Sequence, residues 1–301
     1  MARRMAVTLV EHPRTALAGF VTDSPERSAA LKAEFSVPVS TDLASLDADV
    51  VYVASVSTRH AADVAKALGL GLPTLCEKPL GVDPQEVAAL QTEARTQAVF
   101  LMEAMWSRFL PVGRELASRL ERGDYKEART VTSALGYPVD RDPARRWFGD
   151  AGSGGALLDL GIYGLDVALQ VLGPPVNTSV DAELEGEVVT QATIRGTHSN
   201  GARSITFVTF ESLLAGDLTI SCPQLSDTYR GEFQPAFAVE RMTPTGTSVV
   251  DLTYESEGLA PEVDEVHRHL DRGSLESDLL PHAATAALHT WLGQIRDQIK
   301  P

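Results

Sequence analysis

The chain of 301 residues is 44% hydrophobic and 22% charged, which is typical of a globular protein and excludes a wholly disordered or collagen-like chain. Asp and Glu number 41 against 26 Lys and Arg, and the net charge of -15 argues against nucleic acid or an anionic membrane surface as a partner. Two cysteines cannot form a disulfide framework, and no window holds the ~18 consecutive apolar residues of a membrane span, so we expect a cytoplasmic protein.

The first hundred residues alternate between helical patterns and short apolar runs. The basic start of the chain lacks an apolar core of signal-peptide length and predicts a short helix instead. Ser24 followed by Pro25 predicts a helix toward Phe35, and the capping box that begins at Asp83 predicts another to about Thr96. Apolar runs of strand length lie at 15–22, 49–55, 72–76 and 98–103. This alternation predicts a doubly wound α/β domain with a parallel sheet.

The pattern changes after Ala104, which divides the chain into two expected domains, 1–104 and 105–301. Helical patterns at 110–122 and 157–172 are followed by alternating stretches at 204–211 and 217–221, with turn residues between them. Strands that follow strands predict an antiparallel sheet and therefore an α+β domain. An apolar stripe at helical spacing over 281–299 predicts a last helix that packs back on the first domain.

Lys78 is the first candidate for chemistry. It lies in the run Leu75-Cys76-Glu77-Lys78-Pro79-Leu80, at the carboxyl end of a predicted buried strand, where open parallel sheets bind their ligands. A lysine desolvated there can hold a lowered pKa and act on a developing oxyanion. Alternatively, the side chain extends past the strand end and pairs with Glu77.

Tyr163 is the second candidate. Glycines at 152, 154 and 155 precede a helix on which Asp159, Tyr163 and Asp166 follow one another at i, i+4 and i+7, so they share one face. Because their neighbours are apolar, this polar stripe lies in a largely buried helix, where polar groups need partners or a chemical task. A hydrogen-bonded structural tyrosine with a flanking carboxylate is the alternative.

Other positions carry weaker signals. His60 follows the second predicted strand, and a lone histidine at such a place is most often structural. His267 and His269 face apart on a helix and have no evident carboxylate or thiol partner, so no metal site is expected. Cys76 is interpreted as a small buried apolar group.

Three motifs in the same order resemble those of the Gfo/Idh/MocA oxidoreductases. They are Glu77-Lys78-Pro79, the run MEAMWSRF at 102–109 and the run GGALLDLGIY at 154–163. Within the family, the chain is most similar to the branch of dimeric dihydrodiol dehydrogenases, glucose–fructose oxidoreductases and xylose dehydrogenases. The resemblance extends from residue 1 to the last helix and implies a Rossmann-like domain followed by a domain with a large, mostly antiparallel sheet.

The resemblance also implies roles for individual residues. Lys78 matches the family's catalytic lysine, whose bond to the next proline is typically cis. Tyr163 matches the general acid/base of this branch, and Asp159 matches the acidic residue one turn earlier, which would orient the pair. The residues implied in cofactor binding are Asp23, Ser55, Ser57, His60, Glu77 and Lys78. Those implied in the substrate pocket are Trp106, Arg108, Arg146 and Phe148.

One departure from the family pattern is large. The family opens with a strand and a GxGxxG-type loop that binds the pyrophosphate, whereas this chain starts at what resembles the following helix. The strand that should be central in the parallel sheet is therefore absent from the sequence. Two explanations are open: the start codon has been assigned too late, or the protein lacks this piece and binds a dinucleotide poorly or not at all.

The expected function is NAD(P)-dependent oxidation of a secondary alcohol of a cyclic polyol, a sugar or a trans-dihydrodiol, or the reverse reduction. Tyr163 would exchange the hydroxyl proton and Lys78 would lower the pKa of the tyrosine, so no metal is needed. The resemblance implies a homodimer formed through the open face of the second domain's sheet. The alternative is a non-catalytic member that binds a sugar-like ligand or a protein partner.

Asp23 bears on the choice of cofactor. Relatives that use NADP often carry a Ser-Arg pair at this place, and a carboxylate at the arginine position would repel a 2′-phosphate and accept hydrogen bonds from ribose hydroxyls. The expectation is a preference for NAD, although Arg27, one helical turn on, could reach a phosphate. Alternatively, Asp23 helps to cap the helix that begins at Pro25.

Overall fold

The computed structural model describes residues 1–142, 152, 154–231, 238–254 and 258–299. The first part of the chain alternates strands and helices as predicted. Its helices are α1 (Ala2–Glu11), α2 (Pro25–Phe35), α3 (His60–Gly69) and α4 (Pro84–Gln97). Its strands are β1 (Phe20–Val21), β2 (Val39–Ser40), β3 (Val51–Val53), β4 (Thr74–Glu77) and β5 (Leu101–Ala104).

The predicted helix starts are confirmed where a capping residue marks them. Ser24 caps α2 by accepting a hydrogen bond from the Arg27 amide at 3.2 Å, and Asp83 caps α4 by accepting from the Gln85 amide at 2.7 Å. Since Ser24 is the cap of α2, the alternative interpretation of Asp23 as the capping side chain is wrong.

The parallel strands are shorter than the apolar runs that predicted them. All pairings are parallel, and they form two separate sheets, β1-β2 and β3-β4-β5. The run at 15–22 contributes only Phe20 and Val21 to a strand, because a strand extends only as far as its hydrogen-bonded neighbour; none of residues 15–22 is buried. Strand β2 has two residues, too few to produce a recognisable pattern.

The second part of the chain is built on an eight-stranded sheet with the order β13-β12-β11-β10-β6-β9-β8-β7. Only the pair β6 and β9 is parallel, so the predicted mostly antiparallel sheet is confirmed. The strands are β6 (Thr130–Gly136), β7 (Pro175–Glu185), β8 (Val188–His198), β9 (Arg203–Thr209), β10 (Leu218–Ser221), β11 (Ser226–Arg230), β12 (Ala238–Thr243) and β13 (Gly246–Asp251).

Helices cover one face of this sheet. They are α5 (Pro111–Arg122), α6 (Ile162–Leu172, preceded by a π-helical segment Leu157–Gly161) and α8 (His282–Ile299), whereas α7 (Ala260–Leu270) packs against α1. The opposite face exposes Ile205, Met242 and Val249 on β9, β12 and β13. None of the helices that the structure describes has the length and hydrophobicity of a membrane span.

A buried ionic cluster joins α5 to this sheet. Asp227 on β11 accepts hydrogen bonds from Arg119 at 2.6 Å, from the Tyr125 hydroxyl at 2.6 Å and from Arg241 at 2.7 and 2.8 Å. Burial alone would raise the pKa of Asp227, but hydrogen bonds from Arg241, Tyr125 and Arg119 hold it below its ordinary value. The buried carboxylate is therefore ionised and paired.

Helix α8 contacts the first part of the chain. His282 lies at its start, where its carbonyl accepts from Gln91 on α4 at 2.9 Å and its Nε2 lies 2.9 Å from the Leu101 carbonyl. Farther along the helix, Arg296 donates to the Val82 carbonyl. These contacts fix α8 against β5, whose carboxyl end borders the site described next.

Candidate active site

Lys78 lies directly after β4, and its bond to Pro79 is cis, as the family resemblance implies. Strand β4 is central in its three-stranded sheet and all four of its residues are buried, so the strand end is held firmly. The next amide, that of Leu80, donates to Glu103 Oε1 at 2.8 Å. The turn that carries Lys78 is therefore fixed on both sides by buried groups.

The Lys78 ammonium group binds Asp159. Its Nζ donates to the Asp159 carbonyl at 2.7 Å and to the carboxylate Oδ1 at 2.9 Å. The two side chains are only 11% and 12% exposed, so this ion pair lies in a shielded environment. The alternative of a lysine paired with Glu77 is wrong, because Glu77 instead accepts a hydrogen bond from the Tyr52 hydroxyl.

Asp159 and Tyr163 are brought together by the start of α6. Asp159 lies in the π-helical segment, and Tyr163 follows in the first turn of the α-helix. The helix lies very close to the sheet because of Gly164, where a Cβ would be 2.1 Å from Ser133 Oγ on β6. Before the helix, Gly155 has φ +55° and a Cβ there would be 2.2 Å from the Val189 carbonyl, so the preceding turn also requires glycine.

Tyr163 is buried, and its hydroxyl oxygen accepts a hydrogen bond from Trp106 Nε1 at 3.0 Å. Lys78 Nζ lies 5.0 Å from the centroid of the Tyr163 ring. The predicted pair of Lys78 and Tyr163 is therefore close in space, although the two residues are far apart in the sequence. The polar groups meet at one edge of the parallel sheet.

The electrostatics of this cluster differ from the expectation for Lys78. Burial alone would lower the pKa of Lys78, but the charges of Asp159 and Tyr163 outweigh it, so the pKa is raised. The expected lowered pKa is wrong, and Lys78 is a permanent cation near neutral pH.

Tyr163 responds in the opposite way. Burial raises the pKa of Tyr163, while the charge of Lys78 and the hydrogen bond from Trp106 lower it; the net direction is upward. Lys78 thus acts on the tyrosine in the predicted direction, but in this structure it does not outweigh burial.

Arg108, which the resemblance implied in the substrate pocket, is engaged inside the protein. Its Nε and Nη2 donate to the two carboxylate oxygens of Asp166 at 2.9 and 2.5 Å, and its Nη1 donates to the Leu279 carbonyl at 2.7 Å. Asp166 lies three residues after Tyr163 on α6. The pair therefore ties the segment that holds Trp106 to the helix that holds Tyr163. A contact between Arg108 and substrate stays a prediction.

Two polar neighbours of this cluster were missed by reasoning from the sequence. The Tyr137 hydroxyl donates to Asp159 Oδ2 at 2.7 Å and so holds the carboxylate that binds Lys78. Glu103 is 1% exposed and accepts from Leu80 and from His289 Nε2, 2.9 Å away on α8. No local pattern marks Tyr137, whereas the charged Glu103 at the end of an apolar run was a signal that could have been used.

The expected cofactor residues lie along the carboxyl ends of β1, β3 and β4. Ser55 is exposed and Ser57 is half-buried after β3, and His60 is buried with Nδ1 2.7 Å from the Pro79 carbonyl and Nε2 3.0 Å from the Ser55 carbonyl. His60 therefore connects two strand-end turns. Asp23 is exposed after β1 and accepts from Arg59 Nη1 at 3.3 Å. Arg146 and Phe148 lie outside the described residues.

Comparison with protein families agrees with this arrangement. Residues 1–105 match the model of the Gfo/Idh/MocA oxidoreductase family with its NAD-binding Rossmann fold. Residues 114–221 match the model of the Gfo/Idh/MocA C-terminal domain. The two matches follow one another along the chain in the order of the two structural parts.

Curated proteins with similar sequences are named trans-1,2-dihydrobenzene-1,2-diol dehydrogenase. The protein from Macaca fuscata fuscata is 41% identical over 126 residues, which are 42% of this chain and 37% of that protein. In this match the chain thus spans little more than a third of the relative's length. The protein from Bos taurus is 29% identical over 265 residues, 84% of this chain and 78% of that protein.

Solved structures share the fold. The aldose-aldose oxidoreductase from Caulobacter crescentus has a TM-score of 0.86 at 19% identity, with 98% of this chain and 93% of that chain covered. A 3-ketoreductase from Actinomadura kijaniata, in complex with NADP, has a TM-score of 0.86 at 20% identity, with 99% and 94% covered. An oxidoreductase from Agrobacterium radiobacter, in complex with NAD+, has a TM-score of 0.82 at 19% identity, with 99% and 92% covered.

Proposed function

Since the chain belongs to the Gfo/Idh/MocA oxidoreductase family, we propose that it is an NAD(P)-dependent dehydrogenase that interconverts a secondary alcohol and a carbonyl on a cyclic polyol, a sugar or a trans-dihydrodiol. The observation that carries the proposal is the convergence of Lys78, Asp159 and Tyr163 at the carboxyl edge of the parallel sheet. The names of the dihydrodiol dehydrogenases and of the aldose-aldose oxidoreductase support the class of substrate.

Each residue of the cluster has a distinct task in this reaction. Tyr163 takes the hydroxyl proton during oxidation and returns it during reduction. Lys78 keeps its positive charge beside the tyrosine ring and stabilises negative charge on the phenol oxygen or on the substrate oxygen. Asp159 holds the ammonium group in place, and Tyr137 holds Asp159.

A nicotinamide cofactor would accept or supply the hydride in this reaction. The site fits such a group because Glu262 at the start of α7 is fully buried and neither carboxylate oxygen has a hydrogen-bond partner among the described residues. Burial, and then the charge of Glu77 at the end of β4, raise the pKa of this carboxyl group well above its ordinary value. A buried carboxyl group without a partner at this edge can exchange hydrogen bonds with the hydroxyl and carboxamide groups of a dinucleotide. Lys78 and Glu77 would border it.

The test is turnover, followed by NAD(P)H absorbance, with a panel of sugars, cyclic polyols and trans-dihydrodiols. We expect Lys78→Met and Tyr163→Phe each to lower kcat by about 10²-fold or more, the usual scale of acid–base groups. Lys66→Met and Tyr229→Phe are matched controls, because the first residue lies on the surface and the second is buried in the other sheet. Near-normal turnover of both site variants would overturn the proposal, and ligand binding without any turnover would favour the non-catalytic alternative.

The preference for NAD is part of the proposal. Its support is the exposed Asp23 after β1, whose carboxylate is near Arg59 and not on the helix cap. A carboxylate at this position disfavours a 2′-phosphate. We expect Asp23→Arg to shift the ratio of kcat/KM toward NADP. A tenfold preference of the unmodified protein for NADP would remove Asp23 from the argument.

A homodimer is also part of the proposal. Its support is the sheet face opposite to the helices, where Ile205 is 41%, Met242 57% and Val249 65% exposed. Exposed apolar side chains spread over one open face of a sheet suit a second copy of the same face. We expect Ile205→Arg to increase the monomer fraction in sedimentation velocity, and a monomeric unmodified protein at micromolar concentration would contradict this.

A further inference from the structure

We propose that Trp106 is a catalytic residue whose indole N–H stabilises the negatively charged form of Tyr163. The inference rests on the proposed function and adds a residue to its acid–base machinery. The family resemblance implied Trp106 only in the substrate pocket, whereas the structure points its polar atom at the reacting oxygen of the enzyme.

The chemistry of the contact fixes its direction. An indole has one N–H and no acceptor, so at 3.0 Å Trp106 Nε1 can only donate to the Tyr163 oxygen. Within the described residues, that hydroxyl donates no hydrogen bond. The phenol O–H group can therefore donate to the substrate. The phenolate form keeps the hydrogen bond from Trp106, and hydrogen bonds to a charged acceptor are the stronger ones.

Lys78 does not make this contact. Two hydrogen bonds of its ammonium group go to the carbonyl and the carboxylate of Asp159, and its nitrogen lies 5.0 Å from the centroid of the tyrosine ring. Lys78 therefore acts on Tyr163 through its charge, and Trp106 is the direct donor. The two effects reach the phenol group from different residues and can be removed separately.

The indole ring is held firmly enough for this task. Gly258, with φ +88°, lies so close to it that a Cβ would be 2.4 Å from Trp106 Cζ3. The guanidinium group of Arg4, a residue of α1, lies 6.0 Å from the centroid of the Trp106 ring. The backbone of the same turn is anchored two residues later by Arg108 on Asp166. A donor held in place before reaction stabilises charge without reorganisation.

The proton balance is simple. In oxidation, the substrate O–H bond breaks and its proton joins the ionised Tyr163 oxygen, while the carbon-bound hydrogen would leave with its electron pair to a bound nicotinamide. In reduction, the proton returns from Tyr163 to the substrate oxygen. The Trp106 N–H bond stays intact throughout, and only the strength of its hydrogen bond changes with the charge on the phenol oxygen.

The experiment compares Trp106→Phe with the unmodified protein over a range of pH. Trp291→Phe is the matched control, because that indole is buried and donates to Thr178 at 2.9 Å, away from the site. A hydrogen bond to a charged group corresponds to about one to two pKa units. In Trp106→Phe we expect the pKa that controls kcat/KM for oxidation to rise by about this amount, so that activity recovers at high pH. In Trp291→Phe this pKa should not change.

A second readout does not depend on turnover. Tyrosinate absorbance is titrated in the unmodified protein and in Trp106→Phe. From each curve, the curve of the same protein carrying Tyr163→Phe is subtracted, which leaves the titration of Tyr163 alone. The same upward shift is expected. Benzothienylalanine at position 106, which replaces the indole N–H by sulfur and keeps the ring shape, guards against a packing effect of phenylalanine and should give the same shift.

The outcomes separate the two proposals. If kcat/KM falls equally at every pH and the ionisation of Tyr163 does not move, Trp106 is a substrate contact and the inference is wrong. If Tyr163→Phe itself keeps normal turnover, the proposed function fails instead. A shift with Trp106→Phe but not with benzothienylalanine would also overturn the role of the N–H group.

Discussion

Replacing Arg108 by methionine distinguishes a structural anchor from a substrate contact. The guanidinium makes two hydrogen bonds to Asp166 and one to the Leu279 carbonyl, and the two side chains of the ion pair are 10% and 3% exposed. Arg108→Met leaves the Asp166 carboxylate buried without its counter-ion. Removal of one partner of a buried pair costs about 3–5 kcal/mol, so we expect a loss of this size in the free energy of unfolding.

The assay is urea unfolding followed by circular dichroism, with a double variant and a surface control. Arg108→Met with Asp166→Leu should lose less stability than Arg108→Met alone, because no uncompensated charge is left inside the protein. Arg59→Met breaks an exposed pair with Asp23 and should change the free energy of unfolding by less than about 1 kcal/mol.

Two results would refute this reasoning. If Arg108→Met is as stable as the unmodified protein and only raises KM, the guanidinium serves the substrate, as the family resemblance implied. If the double variant loses at least as much stability as Arg108→Met alone, a buried unpaired charge is not the cause of the loss.

Three further changes test other parts of the structure. The pKa of Asp227 is lowered from its ordinary 3.8 in the folded protein, so its contribution to stability is complete above pH 3.8 and is lost as the pH falls further. Asp227→Asn should therefore lower the free energy of unfolding by about 3–5 kcal/mol at pH 7 and flatten the pH dependence of the urea midpoint below pH 4. Burial, and then the charge of Glu77, raise the pKa of Glu262 well above 4.5, so its contribution to stability is present below pH 4.5 and is lost as the pH rises. Glu262→Gln should therefore raise the urea midpoint at pH 8 and leave it unchanged at pH 4. A midpoint at pH 8 equal to that of the unmodified protein would contradict this. Gly164→Ala should cost about 1–3 kcal/mol by overpacking against Ser133, part of which Ser133→Gly should restore in thermal unfolding.

The sequence alone predicted the elements whose signals are local. The caps at Ser24 and Asp83 located the first residues of α2 and α4, since a cap acts within one helical turn. Strand following strand after residue 200 predicted the antiparallel sheet. Strand lengths were not determined in this way, because a strand such as β1 ends where its partner ends, and the partner β2 is too short to leave a pattern.

The candidate site was predicted in part. Lys78, Asp159 and Tyr163 were named from the motifs, and the structure brings them together, but their roles stay a proposal. The sequence could not show which way the pKa of Lys78 moves: desolvation follows from its position at a strand end, whereas the opposing carboxylate lies 81 positions away along the chain.

Only the tertiary structure decided which polar groups are partners. It placed the Arg108 guanidinium on Asp166, the Tyr137 hydroxyl on Asp159 and the Trp106 indole N–H on Tyr163. Caps and apolar periodicities act over a few neighbouring residues and can therefore be read from the sequence. Hydrogen bonds and charges act over a few ångströms between residues that are distant in the chain, and those distances exist only once the helices and sheets have packed.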